Sequence, residues 1–170
     1  MSGYAVVFDS DSENIGFIER IHPGAITEET INNSDVLAKF NHDDSKVLAR
    51  SNKGKGSLKL TVDSRGVAYE FESPKTALGD ELLEYLTRGD ITASSFAFTI
   101  PKEKDAEKWS KRDGKIYRDI YLIDRLYDIS PVFQPAYAET TCSKRFQEVQ
   151  NLSEEIDAKM NLIKTEFEAL

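Results

Sequence analysis

The period of the hydrophobic pattern changes once along this chain, near residue 142, and that change constrains the fold more than any other feature of the sequence. Before it, apolar residues come in short runs separated by turn residues, as in a β-rich domain. After it, Phe146, Val149, Ile156, Met160, Ile163, Phe167 and Leu170 follow at alternating three- and four-residue steps, with Ser153 the single polar member of the row. A period of about 3.5 residues held over such a length is the a/d pattern of a helix that seeks a coiled-coil partner. A long helix packed on its own domain would show the same row. Its flanks, such as Glu154, Glu155, Lys159 and Lys164, read as a solvated face. The chain is therefore expected to divide into a β-rich unit, residues 1–142, and an amphipathic helix, residues 143–170.

Within the first unit, Tyr4 to Phe8 reads as a strand, Asp9 to Gly16 as a loop and Phe17 to Ile21 as a second strand, broken by His22-Pro23-Gly24. Val36 to Phe40 is a further apolar run. Leu58, Leu60 and Val62 alternate with polar residues, Asp63-Ser64-Arg65-Gly66 makes a turn, and Val67, Tyr69 and Phe71 resume the alternation, which together predict a hairpin. Leu78 to Arg88 places Leu82, Leu83 and Leu86 on one helical face, with Gly89 as the C-cap. Ile91 to Ile100 is strand-like and stops at Pro101. Lys102 to Lys115 is charged and turn-rich and reads as a loop closed by Asp113-Gly114, and Ile116 to Val132 reads as one or two strands. The expected class is α+β, mainly β.

Composition narrows the function. With 22 basic against 30 acidic side chains and a formal charge of −8, the balance argues against a broad electrostatic grip on nucleic acid, which needs lysines and arginines in excess to displace counterions; a local basic patch stays open. Cys142 is the only cysteine, so no disulfide framework is expected, in keeping with a reducing cytosol. No apolar run approaches the roughly 20 residues that span a bilayer, and the N-terminal residues carry no secretory pattern. Two histidines with scattered carboxylates make no zinc spacing, and there is no HExxH, no glycine-rich phosphate loop and no GxSxG elbow. Neither metal nor cofactor is expected.

The residues able to do chemistry are few. Ser94 and Ser95 are adjacent in a strand of period two, so they point to opposite faces. Thr92, Ser94, Phe96 and Phe98 look core-directed, whereas Ala93, Ser95, Ala97 and Thr99 are small and would let an extended peptide approach. Ser95 is the better nucleophile candidate, though a serine chosen for its size would look the same. His42 follows the Val36–Phe40 run and precedes Asp43-Asp44; a histidine there can act as general base, or can simply cap an acidic turn. Asp128, in Leu126-Tyr127-Asp128-Ile129-Ser130, shares by alternation a face with Leu126 and Ser130. An acidic group in an apolar strand must find a partner; a catalytic histidine, Arg125 or Arg118 would each serve.

The order of several blocks resembles the prohead proteases of tailed phages. They are Ile18-Glu19-Arg20-Ile21-His22-Pro23-Gly24-Ala25, Phe40-Asn41-His42-Asp43 with Val47-Leu48-Ala49-Arg50, Gly56-Ser57-Leu58-Lys59-Leu60, Arg88-Gly89-Asp90-Ile91 leading into Ser94-Ser95-Phe96-Ala97-Phe98, and Leu126-Tyr127-Asp128-Ile129-Ser130-Pro131-Val132 before Gln134-Pro135-Ala136-Tyr137. The resemblance runs from about Gly3 to Cys142. It implies a fold related to the herpesvirus assemblins, a small β-barrel flanked by helices, and a serine endopeptidase that cleaves the scaffold and major capsid proteins, and itself, inside the prohead in the bacterial cytoplasm. By the same resemblance His42 matches the general base, Ser95 the nucleophile and Asp128 the third member, while His22 lies in a block read as structural. Ala49 and Ala97 stand where glycine is usual, positions that ask only for ordinary strand angles. The heptad helix would pair two copies of the enzyme or dock on a helical scaffold protein. A non-enzymatic scaffolding module docking through that helix remains the alternative.

Overall fold

The turn residues that punctuate the sequence cut the backbone into short strands. A computed structural model describes residues 1–143, and the expected heptad helix lies outside the described residues. In chain order the elements are β1 (Ser2–Val7), β2 (Ile18–Ile21), α1 (Glu28–Asn33), β3 (Asp35–Lys39), β4 (Val47–Asn52), β5 (Lys55–Gly56), β6 (Lys59–Val62), β7 (Gly66–Glu70), α2 (Ala77–Arg88), β8 (Ala93–Thr99), β9 (Glu107–Arg112), β10 (Lys115–Ile120) and β11 (Arg125–Val132). The structure is mainly β, with two helices among the described residues.

The predicted hairpin is β6–β7, paired from Lys59↔Glu70 to Val62↔Val67. Its turn is fixed by Asp63, whose Oδ1 accepts from the backbone N–H groups of Arg65 and Gly66. The helix predicted from Leu82, Leu83 and Leu86 is α2, capped by the Thr76 hydroxyl at its start and by Gly89, in the left-handed region, at its end. α1 was not anticipated: it is a short helix whose Thr27–Thr30 capping box lacks the usual Glu or Gln. The segment expected to be a loop also differs. Lys102 to Lys115 contains β9, which turns back at Asp113-Gly114 to pair with β10. Its side chains are largely exposed, so the strand carries no apolar alternation and only cross-strand bonding reveals it.

The strands form three ladders, β1-β7-β6, β2-β10-β9 and β5-β4-β3-β11-β8, and no closed barrel exists among the described residues. Closure would need strand partners on both outer edges of the largest sheet. On its β8 side, the Thr140 hydroxyl and the Cys142 N–H take the backbone positions where a continuing strand would bond. One apolar cluster gathers Val36, Ala38, Leu82, Ile91, Leu126 and Ile129; a second gathers Val6, Ile21, Ile26, Ile120 and Ile123. Phe96 and Phe98 of β8 pack against both, so β8 is held from two sides. No helix among the described residues is long and apolar enough to cross a membrane.

Candidate active site

β11 runs parallel to β3 on one side and antiparallel to β8 on the other, so its outward side chains are flanked by both neighbours. A bulge between Leu126 and Asp128 decides which side chains those are. Tyr127 is left exposed, and the strand resumes out of phase: Leu126 and Ile129 both reach the core, while Asp128 and Ser130 share the other face. Strict alternation placed Leu126 beside Asp128; the extra residue separates them.

The register then sets Ser95 opposite Ser130 and Ala97 opposite Asp128. Residues paired across strands share a face, with Cα atoms roughly 5 Å apart. Ser95 is therefore on the face of Asp128, half-buried between Ala93 and Ala97. Ser94 faces inward, fully buried, with its hydroxyl 3.0 Å from the Thr141 carbonyl oxygen and 2.7 Å from the Tyr69 hydroxyl. Neither Ala49 nor Ala97 has a positive φ, so alanine fits both places.

β3 ends at Lys39, and the chain reverses through Phe40–Asp43, where the Asp43 N–H donates to the Phe40 carbonyl at 3.1 Å. Asn41 (φ 52°) and His42 (φ 60°) are both left-handed, the pattern of a type I′ turn. Asparagine takes this conformation readily; histidine does so less often, and such backbone persists where the surroundings hold it. Here the Asn41 N–H donates to the Pro131 carbonyl at 2.9 Å, which pins the turn onto β11.

His42 Nδ1 lies 2.8 Å from Asp128 Oδ1. A carboxylate has no proton to give, so Nδ1 carries it and Nε2 is left as the basic nitrogen. The Ser130 hydroxyl donates to the same Oδ1 at 2.9 Å, and the Lys39 ammonium sits 3.3 Å from Oδ2 and 2.6 Å from Asp44 Oδ1. The Asp128 side chain is 6% exposed. Burial opposes its charge, but the bonds from His42 and Ser130 and the nearby Lys39 outweigh that and hold the carboxyl below the ordinary 3.8. Among the described residues, neither Ser95 Oγ nor His42 Nε2 has a hydrogen-bond partner, and no bond joins them. The structure thus brings His42 into contact with Asp128 and sets Ser95 on their face in the adjoining strand. A serine–histidine bond commonly tightens only around substrate.

The other candidates are engaged elsewhere. Arg118 lies between Glu19 and Glu107, and exposed Arg125 lies near Asp124. His22 has Nε2 2.9 Å from Asp119 and Nδ1 3.0 Å from Asp9, and stacks on Tyr121; it fastens the segment after β2 to β10 and to the turn after β1. Lys39 and Ser130 carry the site's remaining polar contacts and had no role assigned from sequence. Their signals were present: Lys39 is the one charge inside the Val36–Phe40 run, and Ser130 stands two residues from Asp128 in a strand. No group of three or more His, Cys, Asp or Glu among the described residues is arranged to hold a metal ion.

No curated protein and no solved structure matches the chain. The family model for the caudovirus prohead serine proteases matches residues 1–155, a stretch that contains this whole arrangement, and the chain belongs to that family.

Proposed function

We propose that the chain is the endopeptidase of a tailed-phage prohead, with Ser95 as nucleophile, His42 as general base and Asp128 as the group that orients it. The observation that carries this reading is the His42 Nδ1–Asp128 bond at 2.8 Å on the sheet face that also bears Ser95. In the first half-reaction Ser95 Oγ bonds to the carbonyl carbon of the scissile peptide as its proton passes to His42 Nε2. The C–N bond then breaks, and the same proton goes to the leaving amine, leaving an acyl-enzyme. Water repeats the sequence: His42 takes its proton, the hydroxyl adds to the acyl carbon, and Ser95 departs with the proton returned. Asp128 stays ionised and stabilises the imidazolium between these steps.

The substrates are the scaffold protein, the major capsid protein and the chain itself, acted on within the procapsid in the host cytoplasm. Residues 1–142 form the catalytic unit, and residues 143–170 pair two copies or seat the enzyme on a helical scaffold. Support comes from the family, from the heptad row, and from an acidic balance suited to protein substrates rather than nucleic acid.

The test sets Ser95→Ala beside Ser94→Ala, using a fluorophosphonate probe and heads assembled from capsid and scaffold protein. Ser95→Ala abolishes labelling and lowers processing by at least about a thousandfold. Ser94→Ala keeps both, and loses about 1–3 kcal/mol of stability because Tyr69 and Thr141 lose a buried partner. Processing that survives Ser95→Ala overturns the assignment.

A further inference from the structure

β8 is the last strand of its sheet, bonded to β11 on one side and to no strand on the other. Backbone groups along a strand point alternately to its two sides. The Ser94 N–H donates to the Thr140 hydroxyl at 3.2 Å, the Ser94 carbonyl accepts from the same hydroxyl, and the Thr92 carbonyl accepts from the Cys142 N–H at 2.9 Å. Even-numbered residues of β8 therefore point away from β11. Thr99, odd-numbered, accepts from the N–H of Asp124, the residue just before β11, as this alternation requires. The next outward groups, the N–H and C=O of Phe96 and Phe98, have no hydrogen-bond partner among the described residues. A bare edge thus begins one residue past Ser95 and runs to Pro101, which has no N–H to offer. Such an edge is a template for another strand.

Along this edge lies a groove of about 720 Å³. Its apolar walls are Ile15, Phe17, Phe96, Phe98 and Ile100. Phe96 and Phe98 face the core and stack at 5.5 Å, yet both are only half-buried, and Ile15 is 51% exposed. The charges of the groove balance: the Arg118 guanidinium sits 2.9 Å from Glu19 and 2.7 Å from Glu107, and Lys102 lines the same groove. Ala97, two residues from Ser95 on the same face, also lines the groove.

We propose that the substrate polypeptide docks as an added strand on the outer edge of β8, bonded to the backbones of Phe96 and Phe98, and sends a large apolar side chain into this groove. The proposal rests on Ser95 as nucleophile. The occupant is an extended chain because the bare groups recur with a strand's period and lead directly to Ser95. Phe96 to Ile100 spans roughly 15 Å, room for about four substrate residues on one side of the scissile bond. Cancelled charge and aromatic walls favour Leu, Met or Phe over a charged residue in the groove.

The experiment uses the full chain carrying Ser95→Ala, with fluorescent 12-residue peptides tiling the capsid and scaffold proteins of the same phage, read by anisotropy. In a peptide that binds, each backbone amide is N-methylated in turn. Affinity falls at least about tenfold at alternate residues and is unchanged between them. Adding Ile15→Asp, an exposed position, weakens binding by a similar factor, as does replacing the peptide's groove residue with alanine. Absence of peptide binding, N-methyl losses without alternation, or unchanged affinity in both Ile15→Asp and Phe17→Ala would overturn the docking. Probe labelling of the chain with Ser95 intact separates the two ideas. Labelling without strand-like binding sinks the docking alone, and alternating binding without labelling sinks the nucleophile alone.

Discussion

Ser95, His42 and Asp128 reach one face by three different local devices: a strand register, a left-handed turn and a bulge. Asp128 also sets a pH dependence. Its folded value lies below the ordinary 3.8, and a carboxylate depressed in this way contributes stability above its unfolded value, then loses it as pH falls through the folded one. The difference in unfolding free energy between the wild type and Asp128→Asn accordingly stays level above about pH 5 and narrows below about pH 4, as urea titrations across that range would measure. With the proposed roles of His42 and Asp128, the same variant is expected to lower kcat at neutral pH by about 10³–10⁴-fold, because an amide does not hold the histidine tautomer. Cys142 behaves oppositely: burial pushes its thiol up to about 11. Its reaction with a water-soluble maleimide at neutral pH is expected only after denaturation; rapid labelling of the native chain would contradict the burial.

Element by element, the sequence was legible where apolar residues alternate or repeat. The β6–β7 hairpin, α2 and the strand bearing Ser95 all follow from period and turn chemistry. β9 was not legible because its side chains face solvent and leave no apolar signature. The bulge at Tyr127 was hidden for a different reason: a two-residue period has no way to mark one residue too many. Within the site, the small face around Ser95 is visible in the alternation, whereas the His42–Asp128 contact is one of several pairings the sequence allows, since it depends on β3 and β11 being neighbours. Glu19 shows what such long-range pairing secures. On β2, it accepts from Arg118 of β10 and from the Tyr137 hydroxyl, and its side chain is 7% exposed. Arg118→Leu strands that carboxylate and lowers stability by about 3 kcal/mol, seen as a reduced urea midpoint; replacing Glu19 with Gln in the same chain restores part of it.

Across the whole molecule, the two apolar clusters meet at β8, and the residues just past Tyr137 return to the same place. Thr140 bonds Ser94, the Thr141 N–H donates to the Tyr4 carbonyl, Cys142 bonds Thr92, and Ser143 pairs with Ser2. Gly3 permits this approach, since a Cβ there would collide with the Thr141 carbonyl oxygen. A chain ending at residue 143 keeps these bonds and is expected to retain the native unfolding midpoint to within a few degrees. One ending at residue 139 loses them together and drops by roughly 10 °C or more in calorimetry. The consequence is mechanical. Residues 140–143 are a buckle between the chain's first strand and the strand of Ser95, so tension applied to the polypeptide just past residue 143 is shared between those two strands.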